Sequence, residues 1–513
     1  PALQQALTLD NVTIHTTTIN TNQLHTLAPI VIDTRGNQHP PPAHTPIQTA
    51  YGITLHPTQA APLLQDADAV LMDWRPHDGT PTWGHRTASF CYTIPLPNGR
   101  ILTEETILAA TPPIPTTHLA QRLHTRLARH ILRARHHTTQ AGFTAEKIPH
   151  IHTKHRPILI SDGPLHDEQR RHVARFFAPT VVATYQPLMA RTAEIALDPT
   201  QHHGHIHLDE LALHYAVEVT AHIVGLTHNR PGETETQRHQ RITAMSHRLT
   251  TFFNQPPFDI TRKDLGRTHK QWLQAARNGL KPIIQFWWHD VRPALQQRRR
   301  NPSDDVMSHL LAHNATTTDI LIEAITYGTA GMVTTREFIC MAAWHLLTNH
   351  DLRTHYLTSD QPARLATLAE IIRLEPVVGH IWRRATTDIN PNPTTCIKAS
   401  QLIDINIRNA NTDPSAVGED PHHLHPGRTT SPGIDATGLA FGDGAHACPG
   451  KTLALLETDV LLTRLLALKP HLHAPPTITW DELVAGYQIR NMHLLTQKPP
   501  HPSPSPHRHA RAT

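Results

Sequence analysis

The stretch Phe441-Gly-Asp-Gly-Ala-His-Ala-Cys-Pro-Gly450 runs straight into the apolar segment KTLALLETDVLLTRLLAL, and its reading decides the rest of the chain. Three glycines within these ten residues allow the loop backbone to approach a flat ligand closely. Cys448 falls just ahead of a helical segment, where orphan backbone N–H groups and the helix dipole stabilise a thiolate. A thiolate held in this way is a natural axial ligand for haem iron.

The whole chain has 513 residues, with 46 Lys+Arg, 42 Asp+Glu and a formal charge of +4 when histidine is neutral. So small a basic excess argues against a protein that coats nucleic acid. Its 44 histidines, with a reference pKa near ~6.5, make the net charge climb steeply below neutral pH. Four cysteines, Cys91, Cys340, Cys396 and Cys448, exclude a disulfide-dense scaffold and fit a reducing, cytoplasmic compartment. No segment has the roughly 18 uninterrupted apolar residues of a membrane helix. The opening PALQQALTLDNVTIHTTT has neither a basic n-region nor an apolar h-region. These features predict a soluble protein with no membrane anchor.

Outward from the loop, two regimes appear. Residues 1–160 are rich in Thr, Pro and His, and carry one hairpin: TASFCYTIPL, the turn PNGR, then ILTEET, with Asn-Gly as the turn signal. A helix over 118–136 follows, with Leu119, Leu123, Leu127 and Ile131 on one face. From Gly163 the apolar spacing is helical over 166–178, 181–196, 208–226, 236–253, 267–299, 304–312, 318–348, 363–375 and 449–468. The segment 318–348 spans ~45 Å at about 1.5 Å per residue. The tail 497–513, QKPPHPSPSPHRHARAT, reads as disordered. The tract His202-His-Gly-His-Ile-His207 offers metal ligands, but in a chain this rich in histidine a solvated loop is the plainer reading. Arg298–Arg300 read as a polar helix end.

The loop resembles the haem-binding segment of the cytochrome P450 family, Phe-Gly-x-Gly-x-His/Arg-x-Cys-x-Gly, with Phe441, Gly442, Gly444, His446, Cys448 and Gly450 in the six characteristic positions. Other family motifs occur in the family's order. GPLHDEQRRHVARFFAP is similar to the His-x-x-x-Arg helix, so His166 and Arg170 are expected to donate to haem propionates. Charge-assisted hydrogen bonds of that type contribute ~1.5–3 kcal/mol each. Ala330-Gly-Met-Val-Thr-Thr335 is similar to the oxygen-side motif of the long helix. The likeness implies that Thr334 hydrogen-bonds dioxygen or a water, and that Gly331 lets the helix open locally. Glu370-Ile-Ile-Arg373 looks like the family's structural pair behind the haem, three residues apart on one helical face. In LEPVVGHIWRRATTDI, Arg383 aligns with a propionate-binding arginine, and His446 matches a further propionate position. The resemblance runs from Gly163 to about Met492.

The resemblance implies a mainly α fold with small β-sheets, a triangular single domain holding haem b (iron protoporphyrin IX) between the long helix and the Cys-loop helix. It makes Cys448 the iron ligand, 161–496 the catalytic core, 497–513 a tail, and 1–160 an atypical extension packed on the same domain. The activity implied is that of a monomeric monooxygenase acting on a small molecule of a natural-product pathway. Electrons come from a ferredoxin or flavodoxin-type donor with its reductase, and Arg171 and Arg175 are candidates to meet an acidic donor. Pocket candidates are Thr326, Tyr327, Ala330 and Val333 on the long helix, and Val377, Val378 and His380 after the Glu-x-x-Arg helix.

Two positions depart from the family pattern. Val333 stands where the family has an acid for proton delivery, with Glu337 one turn further as a weak substitute. Oxidative coupling and desaturation therefore join hydroxylation as outcomes. His423, in Pro421-His-His-Leu424, stands where the family has the arginine that completes the Glu370–Arg373 network. A peroxide-using or isomerase-type haem-thiolate enzyme and a non-catalytic haem sensor remain open as alternatives.

Overall fold

A hairpin forms where the Asn-Gly signal predicts it. Strand β3 (Phe90–Pro95) pairs antiparallel with β4 (Ile101–Ala110), with Pro95 opposite Ile101. The Leu96 N–H donates to the Arg100 carbonyl at 2.6 Å, and Gly99 takes a φ of +76° that other residues rarely adopt. Strands β1 (Ile47–Leu55) and β2 (Val70–Asp73) complete an antiparallel sheet of order β1-β4-β3-β2. Along β4, Ile101, Thr103 and Glu105 are buried and alternate with half-buried Leu102 and Glu104, the period of a one-sided strand.

The computed structural model describes residues 47–55, 69–73, 90–96, 99–110, 131–133, 138–141, 157–198, 204–227, 232–253, 266–392, 395–431, 433–481 and 486–496, with a few single positions beside them. The chain divides into two units. One comprises Pro1–Pro76, Pro81–Leu123 and Asn390–Cys396; the other comprises His77–Thr80, His124–Ile389 and Ile397–Thr513. The main division thus follows Leu123, whereas the composition shifts near 160. Leu119 and Leu123 are helical and buried, while Leu127 and the tail from 497 lie outside the described residues.

The second unit is mainly helical. In chain order its helices are α1 (Gly163–Ala174), α2 (Pro179–Thr184), α3 (Gln186–Ala196), α4 (Leu208–Val224) and α5 (Glu235–Phe253). Then come α6 (His269–Phe286), α7 (Arg292–Arg300), α8 (Val306–Ala312), α9 (Thr317–Thr348), α10 (His350–Thr358) and α11 (Gln361–Leu374). Short helices α12 (Ile407–Asn411) and α13 (Pro414–Val417) precede α14 (Lys451–Ala467).

Proline explains two departures from the expected boundaries. The segment 181–196 breaks at Tyr185, because Pro187 has no N–H to continue the ladder. The expected helix 267–299 is interrupted by a π-turn at Trp287–Val291, just before Pro293. Arg298 is not a solvated helix end. It is buried, ion-paired to Asp305, and donates to the Thr227 carbonyl at 3.0 Å.

Small sheets border these helices. Strand β5 (Thr138–Ala141) and β8 (Leu402–Asn406) flank β7 (His380–Ala385), and β6 (His205–His207) pairs with β9 (His493–Leu495). The last three residues of the histidine tract are therefore a strand, with His205 and His207 exposed and Ile206 buried.

Helix α9 is apolar nearly all round and opens with a capping box between Thr316 and Asp319. It crosses α4 where Gly331 meets Thr220: a Cβ on Gly331 would lie 3.3 Å from Thr220 Oγ1. Helix α9 also packs on α14, where Thr335 Oγ1 donates to Glu457 Oε1 at 3.0 Å. Among the described residues no helix is long and apolar enough to cross a membrane.

Burial pushes the Glu457 carboxyl up to about 8, against the Thr335 hydroxyl, which lowers it. The folded state thus keeps a proton that the unfolded chain releases near pH 4.5, and stability falls as pH rises from there towards 8. The slope from one such group is at most about 1.4 kcal/mol per pH unit. Glu457→Gln should flatten this decline, measured as a smaller loss of urea midpoint between pH 5.5 and pH 8 than in the parent protein.

Candidate functional site

Cys448 occupies the turn before α14, and its N–H donates to the Phe441 carbonyl at 2.7 Å, closing the loop. Gly442 and Gly444 both have a φ of +70°, and a Cβ on Gly444 would lie 2.7 Å from the Leu132 carbonyl. Only glycine satisfies both conditions at 444. Phe441 packs against the main core, and a Cβ on Gly450 would lie 3.8 Å from Cys448 Sγ. Cys448 is exposed as a residue, yet protein walls its sulfur. That desolvation raises the thiol pKa, against the Gly450 N–H, the charges of Arg170 and Lys451, and the Lys451 N–H, which lower it. The helix start favours a thiolate, as expected, but burial outweighs it, and a ligated cation would supply the missing charge.

The propionate candidates converge around one acid. His166 is buried with its ring 4.2 Å from that of His446, and His446 Nε2 lies 3.1 Å from Asp162 Oδ1. Asp162 also accepts from the Gln140 N–H at 3.1 Å and 3.2 Å. Arg383 is buried and donates to Gln140 Oε1 and, at 3.1 Å, to the Trp382 carbonyl. Arg170 donates to the Ala447 carbonyl inside the cysteine loop. Burial raises the Asp162 pKa, but the hydrogen bonds from His446 and Gln140 and the Arg383 charge outweigh it and hold the acid below its usual range. Burial lowers Arg383 to about 10, with Asp162 opposing, and burial and the His446 charge lower His166. The Arg383 charge thus acts on half-buried Asp162, while half-buried Arg170 meets a carbonyl rather than a carboxylate. Such an imbalance of desolvated cations calls for anionic partners. The two carboxylates of a haem are a chemical fit for it.

Long helix α9 shows a stripe that is otherwise foreign to a core helix. Ala330 is exposed and Thr326, Gly331 and Thr334 are half-buried, while most flanking positions are buried. Residues 326, 330 and 334 are one turn apart and share a face. Tyr327 and Val333 lie off this stripe: both are buried, and the Tyr327 ring stacks on Phe177 at 5.8 Å. Thr334 Oγ1 donates to the Ala330 carbonyl at 2.5 Å, back into its own helix. Gly331, expected to open the helix for oxygen, serves the close approach to Thr220. Glu337 is no proton relay. It is buried and engaged by Arg336, by Arg490 at 2.8 Å and by the Ile489 N–H at 2.7 Å. Beyond α11, Val377 is core, Val378 is half-buried, and His380 pairs with Asp404 at 2.8 Å.

The Glu-x-x-Arg pair sits as expected but is completed differently. Arg373 is fully buried and donates to Glu370 at 2.7 and 2.8 Å, to the Asn411 carbonyl at 2.7 Å and to the Pro421 carbonyl at 3.0 Å. The third member is Arg428, not His423. Arg428 Nε donates to Glu370 Oε1 at 2.8 Å, and its guanidinium also caps the carbonyls of Val417, Glu419, Asp420 and His423. The His423 side chain is 82% exposed. The arginine lies five residues beyond the family's position, because the loop takes a longer path to the same carboxylate.

Two families match different parts of the chain: Lycopene cyclase protein over residues 5–140 and Cytochrome P450 over residues 362–473. Cytochrome P450 105C1 of Streptomyces sp is 33% identical over 177 residues, covering 34% of this chain and 45% of that protein. The chain therefore spans less than half the length of that relative. Cytochrome P450 130 of Mycobacterium tuberculosis is 26% identical over 334 residues, covering 63% of this chain and 74% of that protein. Among solved structures, a mutant of P450 EryK in complex with erythromycin B superposes with a TM-score of 0.57 at 18% identity, covering 74% of this chain and 90% of that one. That likeness is one of fold.

Breaking a buried ion pair from one side costs about 3–5 kcal/mol. Arg428→Ala should lose that much in chemical unfolding, whereas His423→Ala should change stability by less than about 0.5 kcal/mol. The reverse order of effects would restore His423 to the network.

Proposed function

We propose that this chain, which belongs to the cytochrome P450 superfamily, is a haem-thiolate monooxygenase oxidising a small organic substrate of a natural-product pathway. The observation that carries the reading is Cys448, in the turn before α14, with the Arg170 and Arg383 guanidinium groups drawn out of water near its loop. Bound haem b would supply the activation of dioxygen at its iron.

The chain's own residues would divide the remaining work. Cys448 Sγ ligates the iron, and His166, Arg170, Arg383 and His446 hold the propionates. The Arg170 charge acts on both the Cys448 thiol and the Tyr327 hydroxyl, so this side chain stands between the cysteine loop and α9. Substrate rests against the small side chains of Thr326, Ala330 and Thr334. Thr334 is the proton-handling group: its hydroxyl leaves the Ala330 carbonyl and donates towards the oxygen side. Thr326 donates to the Ile322 carbonyl at 2.9 Å and contributes shape.

With Val333 apolar and Glu337 sequestered, water or a polar group of the substrate must complete the proton path. This poverty of relays favours coupling or desaturation beside hydroxylation, and it also favours a peroxide-driven enzyme as a second reading. Exposed Arg171 offers charge to an acidic ferredoxin or flavodoxin-type donor, while Arg175 is already paired with Asp304. The match of residues 5–140 to Lycopene cyclase protein favours an apolar isoprenoid among candidate substrates. Haem without catalysis, as in a sensor, leaves the α9 stripe without a role.

Spectral titration against natural-product intermediates, an isoprenoid hydrocarbon among them, should shift the ferric Soret band as substrate displaces water. Turnover with peroxide and none with a reductase system would select the second reading. Cys448→Ala should abolish the red-shifted Soret band of the ferrous–CO complex, and an unchanged band would sink the assignment. Thr334→Ala should keep that band and lower product formed per electron consumed, by roughly tenfold or more if proton delivery is its task.

A further inference from the structure

Away from the cysteine loop, three histidines meet between two helices. His309 on α8 and His313 at its C-terminal cap are four residues apart, hence on one face. His172 comes to them from α1. The ring centroids are 4.2 Å apart for His309–His313, 4.8 Å for His172–His313 and 5.8 Å for His172–His309. One ligating nitrogen from each lies within 4.8 Å of the others. A tetrahedral ion with Zn–N bonds of about 2.0–2.1 Å sets its nitrogens about 3.4 Å apart, a contraction within reach of small side-chain rotations.

The tautomer is also prepared. His313 Nδ1 lies 2.8 Å from the His309 carbonyl, which can only accept, so Nδ1 carries the proton and Nε2 keeps its lone pair. Donation of the far ring N–H to a backbone carbonyl is how metal-bound histidines are oriented. His172 and His313 border a cavity of about 320 Å³ whose wall also carries Glu168, Asp319 and Glu323. Two carboxylate oxygens there, Asp319 Oδ1 and Glu323 Oε2, have no hydrogen-bond partner. The Glu323 carboxyl is pushed up to about 7 by burial, with the Ile158 N–H and the nearby Tyr327 hydroxyl opposing. Oxygens left in this state are what a neighbouring cation would relieve. Arg175, whose charge acts on His309, is exposed and already paired with Asp304.

From this geometry we infer that His172, His309 and His313 form a binding site for a divalent ion of the zinc type, three imidazoles with water in the fourth position. The ion would clasp α8 to α1, the helix whose other residues include His166 and Arg170, and so brace the propionate-binding side chains. It lies apart from the cysteine loop and keeps one open coordination position.

Full-length protein freed of metal with a chelator would be titrated with zinc alone by calorimetry and then measured at the zinc absorption edge. The result expected is one site per chain well above the background of other histidines, with a first shell of three imidazole nitrogens at about 2.0 Å. His172→Gln and His313→Gln should each weaken that site at least tenfold, while the His205→Ala/His207→Ala pair leaves it unchanged. A first shell without imidazole, or equal affinity in the His309→Ala/His313→Ala double variant, would overturn the inference. The edge measurement on the unmodified protein decides even if a variant fails to fold.

Discussion

Arg373 has no exposed surface and no water to satisfy it, so the structure around it must supply every partner. Two contacts go to Glu370 and two to carbonyls distant in sequence, at Asn411 ending α12 and at Pro421. The same arginine's backbone carbonyl accepts from Asn411 Nδ2, whose Oδ1 takes the Leu439 N–H at 2.6 Å. Leu439 accepts from Gly442, and Phe441 accepts from Cys448. Hydrogen bonds joined by short backbone steps thus lead from Arg373 on α11 to the Cys448 N–H. Because a buried unpaired charge is so costly, this loop has few alternative conformations, and the sulfur is held before any ligand arrives.

The cysteine loop and α9 ask opposite things of their surroundings. Beside the loop, buried Arg383 and half-buried Arg170 share one half-buried acid, Asp162, a state that anions would complete. Helix α9 is apolar almost throughout, yet it leaves Thr326, Ala330 and Thr334 uncovered. A flat ligand with an apolar body and two carboxylates answers both demands. The proposed zinc site lies on the other structural use of α1, where histidines rather than arginines face the neighbouring helix.

Much of this was legible in the chain. The spacing from Phe441 to Gly450 names its own loop because two of its glycines take a positive φ and its cysteine lies in the turn just before a helix. Helical periodicity found α9 within one residue at its start, and Asn-Gly found the hairpin of β3 and β4. Periodicity alone did not find α10, whose nine residues carry little apolar pattern, nor the breaks caused by Pro187 and Pro293. The small sheet of β5, β7 and β8 joins segments far apart in sequence, and no local signal announces such a pairing.

The sequence by itself determined which residues carry the chemistry: a cysteine, a threonine, and a set of cations at fixed spacings along helices and tight turns. Those are local constraints, set by backbone geometry over a few residues. What only the tertiary structure decided was the choice of partners across long loops. Arg428 rather than His423 reaches Glu370, Glu337 is spent on Arg336 and Arg490, and Gly331 serves helix contact with Thr220. Such choices depend on which side chain arrives at a buried charge or a close approach, and that is fixed by the path of the folded chain rather than by spacing.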